Sequence, residues 1–105
     1  MYQKLILAAA AMALTGAVAA VAQPQEGVPG AGLRLARQQC ATCHAVRSEQ
    51  GTGAMSFVHI ANMPSTTSMS LRAFLLTPHP KMPDIRSTPA QIDDLVAYIL
   101  SLRRR

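Results

Sequence analysis

The 105-residue chain has no tryptophan, and its aromatic residues are two phenylalanines and two tyrosines. Tyr2 falls in an N-terminal leader, so Phe57, Phe74 and Tyr98 are the aromatic material left for a folded core. Aromatic side chains bury the most apolar area per residue, and a small domain poor in them has little to build a core from. Domains of this size are usually completed by disulfides, a metal or a cofactor. Acidic residues are scarce too, with five Asp and Glu against ten Lys and Arg and a formal charge of +5. The five carboxylates (Glu26, Glu49, Asp84, Asp93 and Asp94) show no paired arrangement near Cys40 to His44, and nothing resembles acid–base machinery. There is a single long apolar run.

That run starts the chain. A short, weakly positive stretch, Met1 to Lys4, precedes apolar Leu5 to Leu14. Thr15-Gly16 breaks the pattern, and Ala20-Val21-Ala22 ends in the small-x-small sequence that signal peptidase reads. Residues 1–22 are therefore expected to be a removed signal peptide, leaving an exported, soluble chain placed in the periplasm. The alternative is an uncleaved anchor, since Leu5 to Ala22 is nearly long enough to span a bilayer. Its alanine-rich second half and the cleavage pattern favour removal. Residues 23–30, QPQEGVPG, read as a flexible Pro/Gly leader, and residues 31–105 as one domain.

Cysteine is limited to Cys40 and Cys43. A disulfide between them would close a very small loop and constrain little of the unfolded chain. Zinc would need four ligands, and there is no second cysteine pair and no paired spacing for His59 and His79. A redox dithiol would want a βαβ context, and no strand alternation supplies one. What remains is the stretch QCATCHA, Gln39 to Ala45. C-x-x-C-H suits covalent haem attachment: each thiol adds to one porphyrin vinyl group, and the adjacent histidine is held beneath the iron. Cys40 and Cys43 are the expected attachment sites and His44 an axial ligand. Haem would also fill the thin core.

Helical periodicity recurs along the chain. Ala31 to Gln39, with Leu33, Leu35 and Ala36, reads as a short helix before the cysteines. Gly51 to Gly53 marks a loop, and Ser56 to Ala61 allows one helical turn stopped by Pro64. Thr67 or Ser68 can cap a helix reaching Leu76, with Leu71, Phe74 and Leu75 on one face. Thr77 to Pro83 cannot be helical, because its three prolines remove donors and extend the chain. The last helix is the clearest. Thr88 caps it, Pro89 takes its first position and Gln91 completes a capping box. Ile92, Leu95, Val96, Ile99 and Leu100 form its apolar stripe, and Arg103 to Arg105 read as a solvated end favourable to the helix dipole.

The second axial ligand must come from Met55, Met63, Met69, Met82, His59 or His79. Met55 is too close to the attachment site to travel round the porphyrin edge easily, and Met69, at a helix start, reads as core. Met63 stays open. Met82 sits between prolines, which reduce the freedom lost in holding its sulfur, and is favoured, with His79 the runner-up.

Gly32, CATCH, Phe57-x-x-Ile60-Ala61, His79-Pro80-x-Met82-Pro83 and Leu95-x-x-Tyr98-Ile99 together resemble small bacterial monohaem class I cytochromes c. The resemblance spans most of the chain after the leader. It implies an all-α fold of three to four short helices around one covalent haem c. It also implies thioether bonds at Cys40 and Cys43, and axial His44 and Met82. Relatives generally carry proline before the residue matching Phe57, where this chain has Met55-Ser56, in a loop whose carbonyl orients the ligand histidine. Many also carry an aromatic where this chain has Ala36, so a closer helix crossing is expected, with Tyr98 filling the gap.

The function implied is one-electron transfer without catalysis. Two alternatives stand beside it: an electron-accepting subunit of an exported dehydrogenase, or a haem enzyme or gas-binding protein with a labile sixth ligand. Arg47, Lys81 and Arg86 flank the attachment motif and the ligand loop. An acidic redox partner (a dehydrogenase, an oxidase or a bc-type complex) is expected to dock there, with the chain a monomer or a small subunit of a complex.

Overall fold

Thr88 Oγ1 accepts a hydrogen bond from Gln91 N–H at 3.2 Å, and Gln91 Oε1 accepts one from Thr88 N–H at 2.8 Å, so the last helix begins at Pro89. This computed structural model describes residues 26–50 and 53–105, together with Gly16, Ala17 and Ala19. The expected signal peptide otherwise lies outside the described residues, and no described helix is long and apolar enough to cross a membrane. The elements are α1 (Pro29–Gln39), α2 (Phe57–Asn62), α3 (Ser68–Leu76) and α4 (Pro89–Ser101), with no strand among the described residues.

Helix α4 is the hub. Ile92, Leu95 and Val96 are its most deeply buried side chains, at 1–2% exposure, and Tyr98 and Ile99 are buried beside them. Full burial of an aliphatic side chain of this size stabilises by about 1.5–3 kcal/mol. Each of α1, α2 and α3 packs on α4, and among the described residues they do not pack on one another. Three short helices splayed on a fourth leave a space between them.

The contact between α1 and α4 is backbone-close. A β-carbon on Gly32 would lie 2.0 Å from the Asp94 carbonyl oxygen and 2.7 Å from Tyr98 Cβ, and one on Gly27 would lie 2.1 Å from the Asp93 carbonyl oxygen. Ala36, one turn beyond Gly32, is fully buried, and Tyr98 fills the adjoining space at 6% exposure, as expected for a close crossing. The helix starts earlier than its sequence suggests. Pro29 and Gly30, expected in the leader, are already helical, because proline is pre-organised for the first helical position and Asp94 supplies a missing cap. Asp94 Oδ1 accepts from Val28 N–H at 2.7 Å.

Helix α3 is capped by Thr67, whose hydroxyl accepts from Ser70 N–H at 3.0 Å while Ser70 Oγ accepts from Thr67 N–H at 2.8 Å. Arg72 Nε binds Asp93 Oδ1 at 2.6 Å, tying α3 to α4. Leu71 and Leu75 are buried as their spacing predicts, but two expected core residues are not. Phe74 is 51% exposed and Met69 80% exposed, because α3 buries only the narrow edge that faces α4. Helix α2, expected as one helical turn, runs for six residues, with Ser56 Oγ accepting from His59 N–H at 3.1 Å at its start.

Gly32→Ala should lower stability by about 3 kcal/mol, the upper range for overpacking, because the obstructing atom is α4 backbone and cannot turn aside. Thermal melting of the holoprotein would measure it, and an unchanged midpoint would mean that the two helices separate freely.

Candidate cofactor cleft

The attachment motif is shaped by the end of α1. Cys40 N–H and Ala41 N–H both donate to the Ala36 carbonyl, at 2.8 and 3.0 Å, closing the helix. Cys43 N–H and His44 N–H then both donate to the Cys40 carbonyl, at 3.2 and 2.9 Å, a tight turn that folds His44 back toward Cys40. Both side chains line one cleft of about 300 Å³ in the space left between the helices. Cys40 is buried and Cys43 exposed, and burial pushes the Cys40 thiol above its ordinary pKa. The uncharged thiol suits the apolar wall.

His44 is oriented by backbone. Its Nδ1 lies 2.5 Å from the Met55 carbonyl oxygen. A carbonyl only accepts, so Nδ1 is the donor, and in the neutral ring Nε2 then has the lone pair that can ligate a metal. Two backbone bonds bracket Met55 and hold that carbonyl in place: Ala54 N–H to the Cys43 carbonyl at 3.1 Å and Phe57 N–H to the Ala45 carbonyl at 3.0 Å. The orienting carbonyl is therefore present without the proline usual before Phe57. The Phe57 ring packs on the imidazole, centroids 5.3 Å apart, and on Tyr98 at 6.4 Å. Tyr98 Oη donates to the Val46 carbonyl, and burial raises its pKa, partly offset by the charges of Arg47 and Arg37.

Met82 also lines the cleft, from the proline-rich segment between α3 and α4. His79 and Met82 form an isolated antiparallel bridge. His79 Nδ1 donates to the Thr77 carbonyl at 2.6 Å, and its ring lies 4.0 Å from that of Phe74. Its Nε2 is buried without a protein partner, as is the Ser87 hydroxyl at the far end of the segment. Of the other methionines weighed, Met55 and Met63 line the cleft and exposed Met69 does not. His59 lies on a separate surface hollow with Glu49 and Arg104.

Apolar side chains, among them Phe57, Ile60, Leu71, Phe74, Leu95 and Ile99 together with three methionines, make up most of the lining. That surface fits a flat apolar macrocycle, with Cys40 placed to join it and His44 and Met82 offering nitrogen and sulfur ligands of the kind haem iron takes. Arg47, Lys81 and Arg86 are exposed and do not line the cleft, although Lys81 precedes Met82 and Arg86 follows Ile85, which do. Lys81 and Arg86 take no part in the described ion pairs, Arg72–Asp93 and Arg104–Glu49.

One supporting residue carried no local sequence signal. Arg103, expected as part of a solvated helix end, donates from Nε to the Ala61 carbonyl at 3.0 Å and from Nη2 to the Thr66 carbonyl. Asn62 adds bonds to Leu102 O at 3.3 Å and from Arg104 N–H at 2.8 Å. Thr66 and Met63 are cleft wall, so the C-terminal tail braces it. Arg103→Ala should cost about 2–3 kcal/mol, the range for hydrogen bonds from a charged group, while Arg105→Ala stays within about 0.5 kcal/mol. Denaturant unfolding of both variants would check this, and equal values would make the bracing idle.

A family model described as Cytochrome C oxidase, cbb3-type, subunit III matches residues 28–99. Cytochrome c-552 of Bradyrhizobium diazoefficiens is 42% identical over 77 residues, covering 70% of this chain and 74% of that protein. No solved structure matches the chain.

Proposed function

Since the chain belongs to this c-type cytochrome family and carries a covalent haem c, we propose that it is an exported one-electron carrier whose iron is held between His44 and Met82. The observation that carries this reading is the oriented imidazole. His44 Nε2 is left as a lone pair on the wall that also holds Cys40, in a cleft that Met82 enters from another segment. When bound, haem supplies the Fe(III)/Fe(II) couple. The residues would do the rest: Cys40 and Cys43 would anchor the ring, His44 would give a basic nitrogen, and the Met82 thioether would favour the ferrous state and raise the potential. With His44 and Met82 both holding the iron, no ligand position would remain for a substrate. Three of the five carboxylates have structural roles, since Asp93 and Glu49 pair with arginines and Asp94 caps α1.

Export rests on the leader pattern of residues 1–22. A second reading, an electron-transferring subunit of an exported oxidoreductase, is favoured by the matching family's description as an oxidase subunit. Co-purification from its native membrane fraction would separate the two.

Met82→Ala should open the iron and lower the potential, abolishing the weak red sulfur-to-iron charge-transfer band, while His79→Ala leaves that band in place. If the band persists in Met82→Ala and disappears in Met63→Ala, the ligand is Met63.

Lys81 and Arg86 beside the cleft, with Arg47, fit an acidic partner that docks at the cleft mouth, because unpaired charges steer encounter. The rate of electron transfer should fall steeply as added salt shortens the Debye length toward about 8 Å. Lys81→Glu should slow it severalfold more than Arg104→Glu, since the Arg104 charge is already offset by Glu49. Stopped-flow rates at several ionic strengths would decide, and equal sensitivity at the two positions would remove the docking role.

A further inference from the structure

The residues around His44 are fastened in succession. The Cys43 carbonyl, the His44 imidazole and the Ala45 carbonyl all bond to residues 54–57, at 3.1, 2.5 and 3.0 Å. Those three bonds join one loop to another. The next carbonyl, that of Val46, instead accepts from the hydroxyl of Tyr98, and Val46 is itself buried. Among the described hydrogen bonds, this is the one that ties residues 43–57 to α4, the helix on which everything else packs. The Tyr98 ring also backs Phe57, which backs the His44 imidazole.

We propose that the Tyr98 hydroxyl is a positioning group for the haem ligand, setting the strength of the His44 Nδ1–H to Met55 carbonyl bond, and through it the reduction potential, by anchoring the Val46 carbonyl to α4. The inference rests on His44 being the axial ligand. The physical chain is short. A buried carbonyl stripped of its donor draws its segment toward water or another partner. Residues 44–46 then shift against residues 54–57, and the bond from Nδ1 lengthens. A weaker bond at Nδ1 makes the imidazole a poorer donor at Nε2, which stabilises ferric iron less. Loss of the hydroxyl raises the potential.

The test uses the holoprotein. Tyr98→Phe removes only the hydroxyl and keeps the ring against Phe57. At a fixed applied potential the Fe(II)/Fe(III) ratio should rise two- to threefold, a shift of roughly 20–30 mV at 59 mV per tenfold. The His44 Nδ1 proton should exchange faster with solvent in the ferrous protein, read by NMR. Should Tyr98→Phe not accumulate, 3-fluorotyrosine gives the complementary arm, since the only other tyrosine is Tyr2 in the leader. Fluorine makes the hydroxyl a stronger donor at nearly unchanged size, so the potential should move downward. Arg72→Gln, which breaks the Arg72–Asp93 pair away from His44, controls for stability loss and should leave the potential where it was. A spectrum of the unmodified protein lacking histidine ligation would overturn the functional reading and this inference with it. Normal ligation with an unmoved potential in Tyr98→Phe, or an equal shift in Arg72→Gln, would overturn the positioning role alone.

Discussion

Gly32 lets the backbone of α1 meet the backbone of α4, and the cleft is laid out from that meeting. The Asp94 carbonyl and Tyr98 Cβ occupy the space a β-carbon would take, so the crossing point cannot slide without a clash. Asp94 holds the same helix at its start through Val28. A helix restrained across its first turn has little freedom at its other end, where Cys40 and His44 emerge. The attachment motif is local chemistry, but its direction is inherited from a contact most of the chain length away. Helix α3 leans on α4 independently, through Leu71, Leu75 and the Arg72–Asp93 pair, which leaves the opening between them.

The region around His44 uses backbone carbonyls where another protein could have used side chains. The groups that hold the loop are Cys43 O, Ala45 O, Val46 O and Met55 O. Such dipoles are set before any charge changes at the site, so little reorganisation accompanies that change. The arrangement also explains why Met55-Ser56 can stand where proline is usual. A carbonyl is common to all residues, and Ser56 secures the local geometry by capping α2 with its hydroxyl.

The positive charges divide into two groups by what they touch. Arg72 and Arg103 are structural, one joined to a carboxylate and the other to two carbonyls, and Arg104 is offset by Glu49. Lys81 and Arg86, in the segment that carries Met82, take no part in the described ion pairs. A charge neutralised locally contributes little field at a distance, whereas an unpaired one at the edge of a cleft acts on anything approaching it. A net charge read from composition alone cannot make this distinction.

Much of the architecture was legible in sequence because it is encoded over a few residues. The capping box at Thr88, a cap at Thr67 or Ser68, prolines that exclude helix between Thr77 and Pro83, and the C-x-x-C-H spacing all act within one turn or less. The start of α1 was misread by two residues because its cap, Asp94, lies on another helix. Phe74 was placed on a buried face from periodicity and Met69 in the core from its position at a helix start, and neither states how much of a face a neighbour covers. Met82 was favoured from its prolines, yet Met55 and Met63 reach the same cleft, which no local pattern indicated. The sequence by itself determined the end of α3, the start of α4 and the haem-attachment chemistry, since these depend on backbone and side-chain preferences at short range. Only the tertiary structure decided which carbonyl orients His44, that Tyr98 reaches Val46 and that Arg103 braces the wall, because each needs residues far apart in the chain to be brought together by the α1–α4 crossing and the packing of α2 on α4.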